Sequence, residues 1–223
     1  MKILFKLAFF IISASLFFST CSAKEAPENV ETNTKMEIAN PDTAYFASGC
    51  FWCTEAVFER VAGVGEVVSG YSGGSKPNPT YNEVAGGETD YAESVRVIYD
   101  PEVVTYSELV EIFYGSHDPT QLNRQGPDIG PQYRSAIFYE TEEQKKTAEE
   151  WKQKLDASGK YDKPIVTKIS KFDKFYIAED YHQNYYERHP NNSYIYNVSR
   201  PKVEKFMKEF KHQLKDKYKK KVN

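Results

Sequence analysis

Between Thr43 and Lys215 the sequence switches repeatedly between two hydrophobic periods, and that alternation constrains the fold more than any other feature. Alternation of apolar and polar residues marks a strand, whereas apolar residues three and four apart mark a helix. The first pattern predicts strands at Thr43–Ala47, Val64–Tyr71, Tyr91–Tyr99, Tyr133–Tyr139 and Ile165–Ile169. The second predicts helices at Cys50–Val61, Tyr81–Ala85, Tyr106–His117, Thr141–Ser158, Ala178–Glu187 and Pro201–Lys215, with Leu109, Ile112 and Phe113 facing inward. Ser72–Pro79 carries turn residues and reads as a loop ending in a proline-started helix. Asp118–Pro131 has Gly, Pro and polar residues without a period, so a long loop is expected there, of the kind that is usually functional or disordered. Strands and helices that alternate without a glycine-rich dinucleotide fingerprint predict a single α+β domain. Its mixed β-sheet would carry packed helices, a ferredoxin-like two-layer core with long loops. At 223 residues, 40% hydrophobic, the chain suffices for one such core.

The ends read differently. Lys2 and Lys6 precede an apolar run, Leu7–Phe18, too short to span a membrane but suited to a secretory signal. Phe18-Ser19-Thr20-Cys21-Ser22 resembles a bacterial lipoprotein processing site with cleavage before Cys21; the alternative is ordinary cleavage after Ala23. Lys24 to Pro41 is polar and cannot drive its own burial. The expected organisation is a signal at 1–23, a disordered tether at 24–41, a folded domain at 42–215 and a solvated, fraying basic tail at 216–223. The expected location is extracytoplasmic, in the periplasm or cell envelope, with the membrane touched only through lipid on Cys21. A formal charge of −3 gives no reason to expect nucleic acid. The 17 tyrosines could line a polar cleft or cap core edges.

Gly49-Cys50-Phe51-Trp52-Cys53-Thr54-Glu55 places two of the three cysteines at a strand-to-helix turn. A zinc site needs four ligands, and His117, His182, His189 and His212 lack the spacing to complete one. A bridge closing so short a loop removes little entropy from the unfolded chain, so a passive staple is a weak reason for the pair. Redox chemistry fits the position better. Unpaired amides and the macrodipole at a helix start are expected to lower the Cys50 pKa. Cys53, one turn on, shares its face at a separation a disulfide tolerates.

The same residues resemble the signature of the A-type peptide methionine sulfoxide reductases. Further matches follow in order: Gly70-Tyr71-Ser72-Gly73-Gly74, Pro77-Asn78-Pro79-Thr80-Tyr81, Tyr91-Ala92-Glu93, His117-Asp118-Pro119-Thr120-Gln121, Asn123-Arg124-Gln125-Gly126, Gln132-Tyr133-Arg134-Ser135 and Ala178-Glu179-Asp180-Tyr181-His182-Gln183. The resemblance implies reduction of the S epimer of free or protein-bound methionine sulfoxide, without metal, nucleotide or other cofactor. Carried over residue by residue, it makes Cys50 the nucleophile and Glu93 the acid. Tyr81 and Tyr133 would be the phenols that hydrogen-bond the sulfoxide oxygen. Phe51 and Trp52 would be the walls around the substrate methyl group, and Asp128 a polar neighbour. These types suit the chemistry, because sulfoxide reduction needs a nucleophile at sulfur and a proton for the departing oxygen.

The chain departs from that pattern in two places. Ile195 stands where many relatives carry a C-terminal resolving cysteine, which leaves Cys53, or an external thiol, to resolve a Cys50 sulfenic acid. Tyr91 stands where relatives commonly have histidine. The expected partners are oxidised proteins or free methionine sulfoxide and a thioredoxin-like reductant, acting on a monomer. Two rival readings remain at this level: thioredoxin-like disulfide exchange, and a lipid-anchored binding module with a tyrosine-lined groove.

Overall fold

A computed structural model describes residues 38–222. The predicted signal, with Cys21, and most of the predicted tether lie outside the described residues. In chain order these run β1 (Asp42–Ser48), α1 (Phe51–Glu59), β2 (Val64–Ser72), α2 (Tyr81–Ala85), β3 (Ala92–Tyr99), α3 (Tyr106–Gly115), β4 (Arg124–Gln125), β5 (Asp128–Ile129), β6 (Ser135–Tyr139), α4 (Glu142–Ala157), β7 (Lys168–Lys171), β8 (Phe175–Ile177), α5 (Tyr185–Arg188), α6 (Arg200–Glu209) and α7 (Asp216–Lys219).

Six strands form one mixed sheet in the order β7-β6-β1-β3-β2-β8. Only β6 and β7 pair in parallel; the other neighbours are antiparallel. The central β6-β1-β3-β2 order is that of the split βαβ ferredoxin-like core, as expected. Successive side chains of β1 point to opposite faces. Phe46 stacks on Phe58 of α1 at 5.0 Å and on Phe113 of α3 at 5.3 Å. Its neighbour Tyr45 points the other way and stacks on Phe172 at 4.0 Å. Both faces of β1 are therefore covered, which fixes the strand that delivers Cys50. Leu109, Ile112 and Phe113 are buried as the helical spacing of α3 predicts.

Several expectations need correction. The loop at Asp118–Pro131 contains the β4–β5 hairpin, with Asn123 and Gly126 in the left-handed region. Pro131–Tyr133 is a 3-10 turn, so β6 starts after Tyr133 rather than at it. The strand expected at Ile165–Ile169 begins later, because Val166 first donates to the carbonyl of Pro119 at 2.9 Å. Strand β8 lacks a sequence signal. It follows from Gly70, where any side chain would collide with the Phe175 ring and the Tyr176 carbonyl. The helix expected over Ala178–Glu187 is broken at Asn184, whose φ is 54°.

The last predicted helix stops at Glu209, and the basic tail is docked rather than fraying. Leu214 is buried, Tyr218 and Val222 nearly so, and the Lys215 amide donates to the Arg60 carbonyl at 2.8 Å. No described helix is long and apolar enough to cross a membrane.

Candidate active site

Strand β1 ends in Ser48 and turns through Gly49, whose φ of +95° suits glycine; a side chain there would strike Gln125 of β4. Cys50 follows as the N-cap of α1, one residue before the helix rather than within its first turn. Its carbonyl accepts the amides of Cys53 at 3.1 Å and Thr54 at 3.3 Å, and the Thr54 hydroxyl at 3.2 Å. Ser48 and Thr54 share a further hydroxyl bond at 2.8 Å, which ties strand end to helix start.

The first helical amide does not face the Cys50 sulfur. Phe51 N–H donates instead to Glu93 Oε2 at 3.0 Å. This overturns the expected source of thiol activation and locates the acid at once. Glu93 lies in β3 opposite Tyr71 of β2 and is 2% exposed. Burial raises its pKa to about 8, against the lowering effect of the Phe51 amide, so the carboxyl is largely protonated at neutral pH. Two phenols lie within its field. Burial, then Glu93 and Cys50, raises Tyr81 to about 12. Tyr133 is raised by burial and then by Glu93, Tyr81, Cys50 and Asp128. Both therefore remain hydrogen-bond donors.

Cys50 and Cys53 are reduced and buried. Burial pushes the Cys50 thiol well up, and its bond to Cys53 raises it further. Cys53 is drawn below the ordinary thiol value, chiefly because Cys50 donates to it, with help from Lys202 and Ser199. The two sulfurs thus form one coupled unit in which the first proton leaves more easily and the second with difficulty.

The aromatic part of the site is larger than the sequence suggests. Phe51 is 1% exposed and packs at 5.0 Å from His182, so it supports the pocket from inside the core. Trp52 is half-buried and is the accessible ring of the two. It stacks on Tyr185 at 3.8 Å, meets Tyr194 edge-on, and donates its indole N–H to His182 Nδ1 at 3.1 Å. Tyr194 in turn donates to Asp128 Oδ2 at 2.5 Å, which brings Asp128 to the same site. Sequence reasoning missed Tyr194, Tyr185 and the anchoring role of His182; the tyrosine surplus was the signal for the first two. Tyr91 is buried and its hydroxyl donates to the Lys76 carbonyl at 2.7 Å, away from Glu93.

The structure therefore brings Cys50, Cys53, Glu93, Phe51, Trp52, Tyr81, Tyr133 and Asp128 together. A soft nucleophile, a protonated carboxyl and phenolic donors in an aromatic cleft can attack a polar sulfur centre while protonating its oxygen.

Comparison with known proteins agrees. The family described as peptide methionine sulfoxide reductase matches residues 42–215. A peptide methionine sulfoxide reductase of Sulfolobus acidocaldarius is 54% identical over 169 residues, 76% of this chain and 95% of the relative. One from Deinococcus radiodurans is 52% identical over 167 residues, 75% of this chain and 81% of the relative. Among solved structures, methionine sulfoxide reductase A of Corynebacterium diphtheriae superposes with a TM-score of 0.61 at 38% identity, covering 68% of this chain and 76% of that one. Reduced Mxr1 of Saccharomyces cerevisiae gives 0.60 at 37% identity, covering 71% and 91%.

Proposed function

The chain belongs to the peptide methionine sulfoxide reductase family, and from that premise we propose that it reduces the S epimer of methionine sulfoxide, free or within oxidised proteins, by thiol chemistry at Cys50. The observation that carries the mechanism is the bond from Phe51 N–H to Glu93, which holds a protonated acid one residue from the nucleophile. The sulfoxide oxygen points at Tyr81, Tyr133 and the Glu93 carboxyl; its methyl group rests on Trp52, backed by Phe51. Cys50 attacks the sulfur as Glu93 delivers a proton to the oxygen, and the proton of the Cys50 thiol passes to the coupled Cys53. The hydroxyl then passes from the substrate sulfur to the Cys50 sulfur, so the substrate S–O bond and the transient Cys50–substrate S–S bond both break, leaving methionine and a Cys50 sulfenic acid. In the net step the sulfoxide oxygen is transferred to the Cys50 sulfur: sulfoxide and thiol become thioether and sulfenic acid, and no other reactant is consumed.

Cys53 is the resolving thiol of this reading. Its sulfur and that of Cys50 shift each other's pKa, as close neighbours do, so the sulfenic acid has a thiol beside it. The products are a Cys50–Cys53 disulfide and water, and a thioredoxin-like dithiol restores the pair by exchange. The N-terminal apolar run and the Cys21 processing pattern support export and lipid attachment in the cell envelope; radiolabelled fatty acid on intact protein, lost in Cys21→Ser, tests that part.

Separate assays with each sulfoxide epimer, driven by dithiothreitol, test the activity: turnover of the S epimer alone, abolished in Cys50→Ser, is the expected result. Reduction of insulin without sulfoxide turnover would favour disulfide exchange, and neither activity would favour a binding module. Mass spectrometry after one turnover tests the resolving step, since two free thiols would assign reduction to an external thiol.

A further inference from the structure

The far side of Cys53 is closed by a segment that the mechanism above leaves unused. Ile195–Ser199 forms a single π-helical turn immediately before α6, a distortion that is rare in helices and occurs often at functional sites. Ser199, at its end, is fully buried, and the Cys53 thiol donates to its hydroxyl at 3.0 Å. The contact joins residues 146 positions apart, so it is a product of the fold rather than of local geometry. Cys50 acts on the same sulfur, so Cys53 interacts with both its reaction partner and Ser199.

A serine hydroxyl accepts from a thiol and, by rotating, donates to a thiolate. Bonds to the charged form are roughly twice as strong as neutral ones, so the contact strengthens when Cys53 ionises. The titratable and charged groups facing Cys53 are Cys50, Lys202 of α6, Asp128 of β5, Glu93 of β3 and Tyr194. Lys202 favours the anion; Glu93 when ionised and Asp128 oppose it.

We propose that Ser199 is the positioning residue of the resolving step: it holds the Cys53 sulfur against Cys50 and donates to the Cys53 thiolate that closes the disulfide. This rests on the reading of Cys53 as the resolving thiol. In the step, Cys53–S⁻ attacks the sulfenic sulfur, the S–S bond forms as the S–O bond breaks, and hydroxide departs and takes a proton to leave as water. Cys53 is oxidised and the sulfenic sulfur is reduced, so no outside oxidant is needed.

The test follows one turnover of the intact protein by rapid quench and mass spectrometry, in wild type, Ser199→Ala and Ser199→Thr. Methionine release should slow less than closure does, because there Cys53 only takes the Cys50 proton, whereas in closure it is the attacking nucleophile. Disulfide closure should slow about tenfold or more in Ser199→Ala, the range for losing a hydrogen bond to a charged group, and its pH midpoint should move upward. Ser199→Thr, which keeps a hydroxyl, should restore both. Closure rates are read only on molecules that have released methionine, so unfolded protein does not contribute. Closure at the wild-type rate and pH midpoint in Ser199→Ala, or a Thr variant as slow as Ala, overturns the proposal. Absence of a Cys50–Cys53 disulfide in wild type overturns the resolving role of Cys53 itself, and this inference with it.

Discussion

Phe51 N–H and Glu93 Oε2 lie 3.0 Å apart, a bond that ties the first residue of α1 to β3 across 42 positions of sequence. Because burial holds Glu93 at about 8, its protonated form dominates at neutral pH and is lost above that value. The first-turnover rate should therefore fall on the alkaline side of about 8, while the need for the Cys53 anion, lowered to about 7, sets a separate acid limb. Glu93→Gln keeps an acceptor for the Phe51 amide but has no proton to give, so the rate should fall about 10²–10⁴-fold with little change in melting temperature. Stopped-flow methionine release against pH, in both proteins, checks both parts. A glutamine variant retaining the alkaline limb would assign that limb to another group.

Trp52 depends on His182 for its orientation, since the indole N–H donates to His182 Nδ1 at 3.1 Å while Tyr185 stacks on its face. Burial lowers the His182 pKa, which keeps the imidazole neutral and Nδ1 an acceptor at physiological pH. His182→Phe preserves the aromatic packing and removes the acceptor. The expected loss is about 1–2 kcal/mol of transition-state binding, roughly a 5–30-fold fall in kcat/KM carried mainly by KM. Steady-state kinetics on a methionine sulfoxide peptide reads it, and an unchanged KM would mean that Trp52 holds its position by stacking alone.

What the sequence revealed and what it hid divide along physical lines. The strands around Phe46 and Val97, and helix α3, were legible because each runs long enough to show a period. Cys50, Glu93, Tyr81 and Tyr133 were legible through ordered motifs that the fold then gathers. Strand β8, with three residues, is too short for a period. Its place is set by Gly70 and by Gln183, whose side-chain amide completes the ladder at Ser69. The state of Cys50 was misread for a related reason: a helix start offers amides, but a carboxyl far away in sequence took the first of them. Local pattern predicts donors; the tertiary fold decides which acceptor receives them.

The C-terminal tail clamps the far end of the same helix. The Ala62 amide donates to the Gln213 carbonyl, the Lys215 ammonium to the Glu59 carbonyl at 2.7 Å, and Arg60 lies between the rings of Tyr186 and Tyr218 at 4.9 and 4.8 Å. Deleting residues 214–223 removes the buried Leu214 and Tyr218, uncovers the apolar surface they pack on, and frees the carbonyls of Glu59 and Arg60. The expected loss is roughly 3–5 kcal/mol, a fall of about 10 °C in melting temperature. Circular dichroism melts check it; a fall below about 2 °C would return the tail to the solvated state its composition suggests.

Glu55 supplies the last prediction because it is buried in α1 without a role in the chemistry. It is 1% exposed and burial raises its pKa to about 8, while the amides of Asn184 and Tyr185 and the Ser69 hydroxyl pull it back only partly. None of these contacts reaches good geometry, since both carboxyl oxygens and the Ser69 hydroxyl lack a well-formed hydrogen bond. A folded-state pKa above the unfolded value means that the native protein holds a proton the unfolded chain releases. The associated stability is complete below about 4.5 and is lost as pH rises toward about 8. Glu93 adds a parallel loss over the same window. Glu55→Gln removes one of the two, so its melting temperature relative to wild type should climb between pH 5 and pH 8, by roughly 5–10 °C. Melts of both proteins across that range give the sign directly, and a difference that stays constant with pH would mean that Glu55 is already ionised in the folded protein.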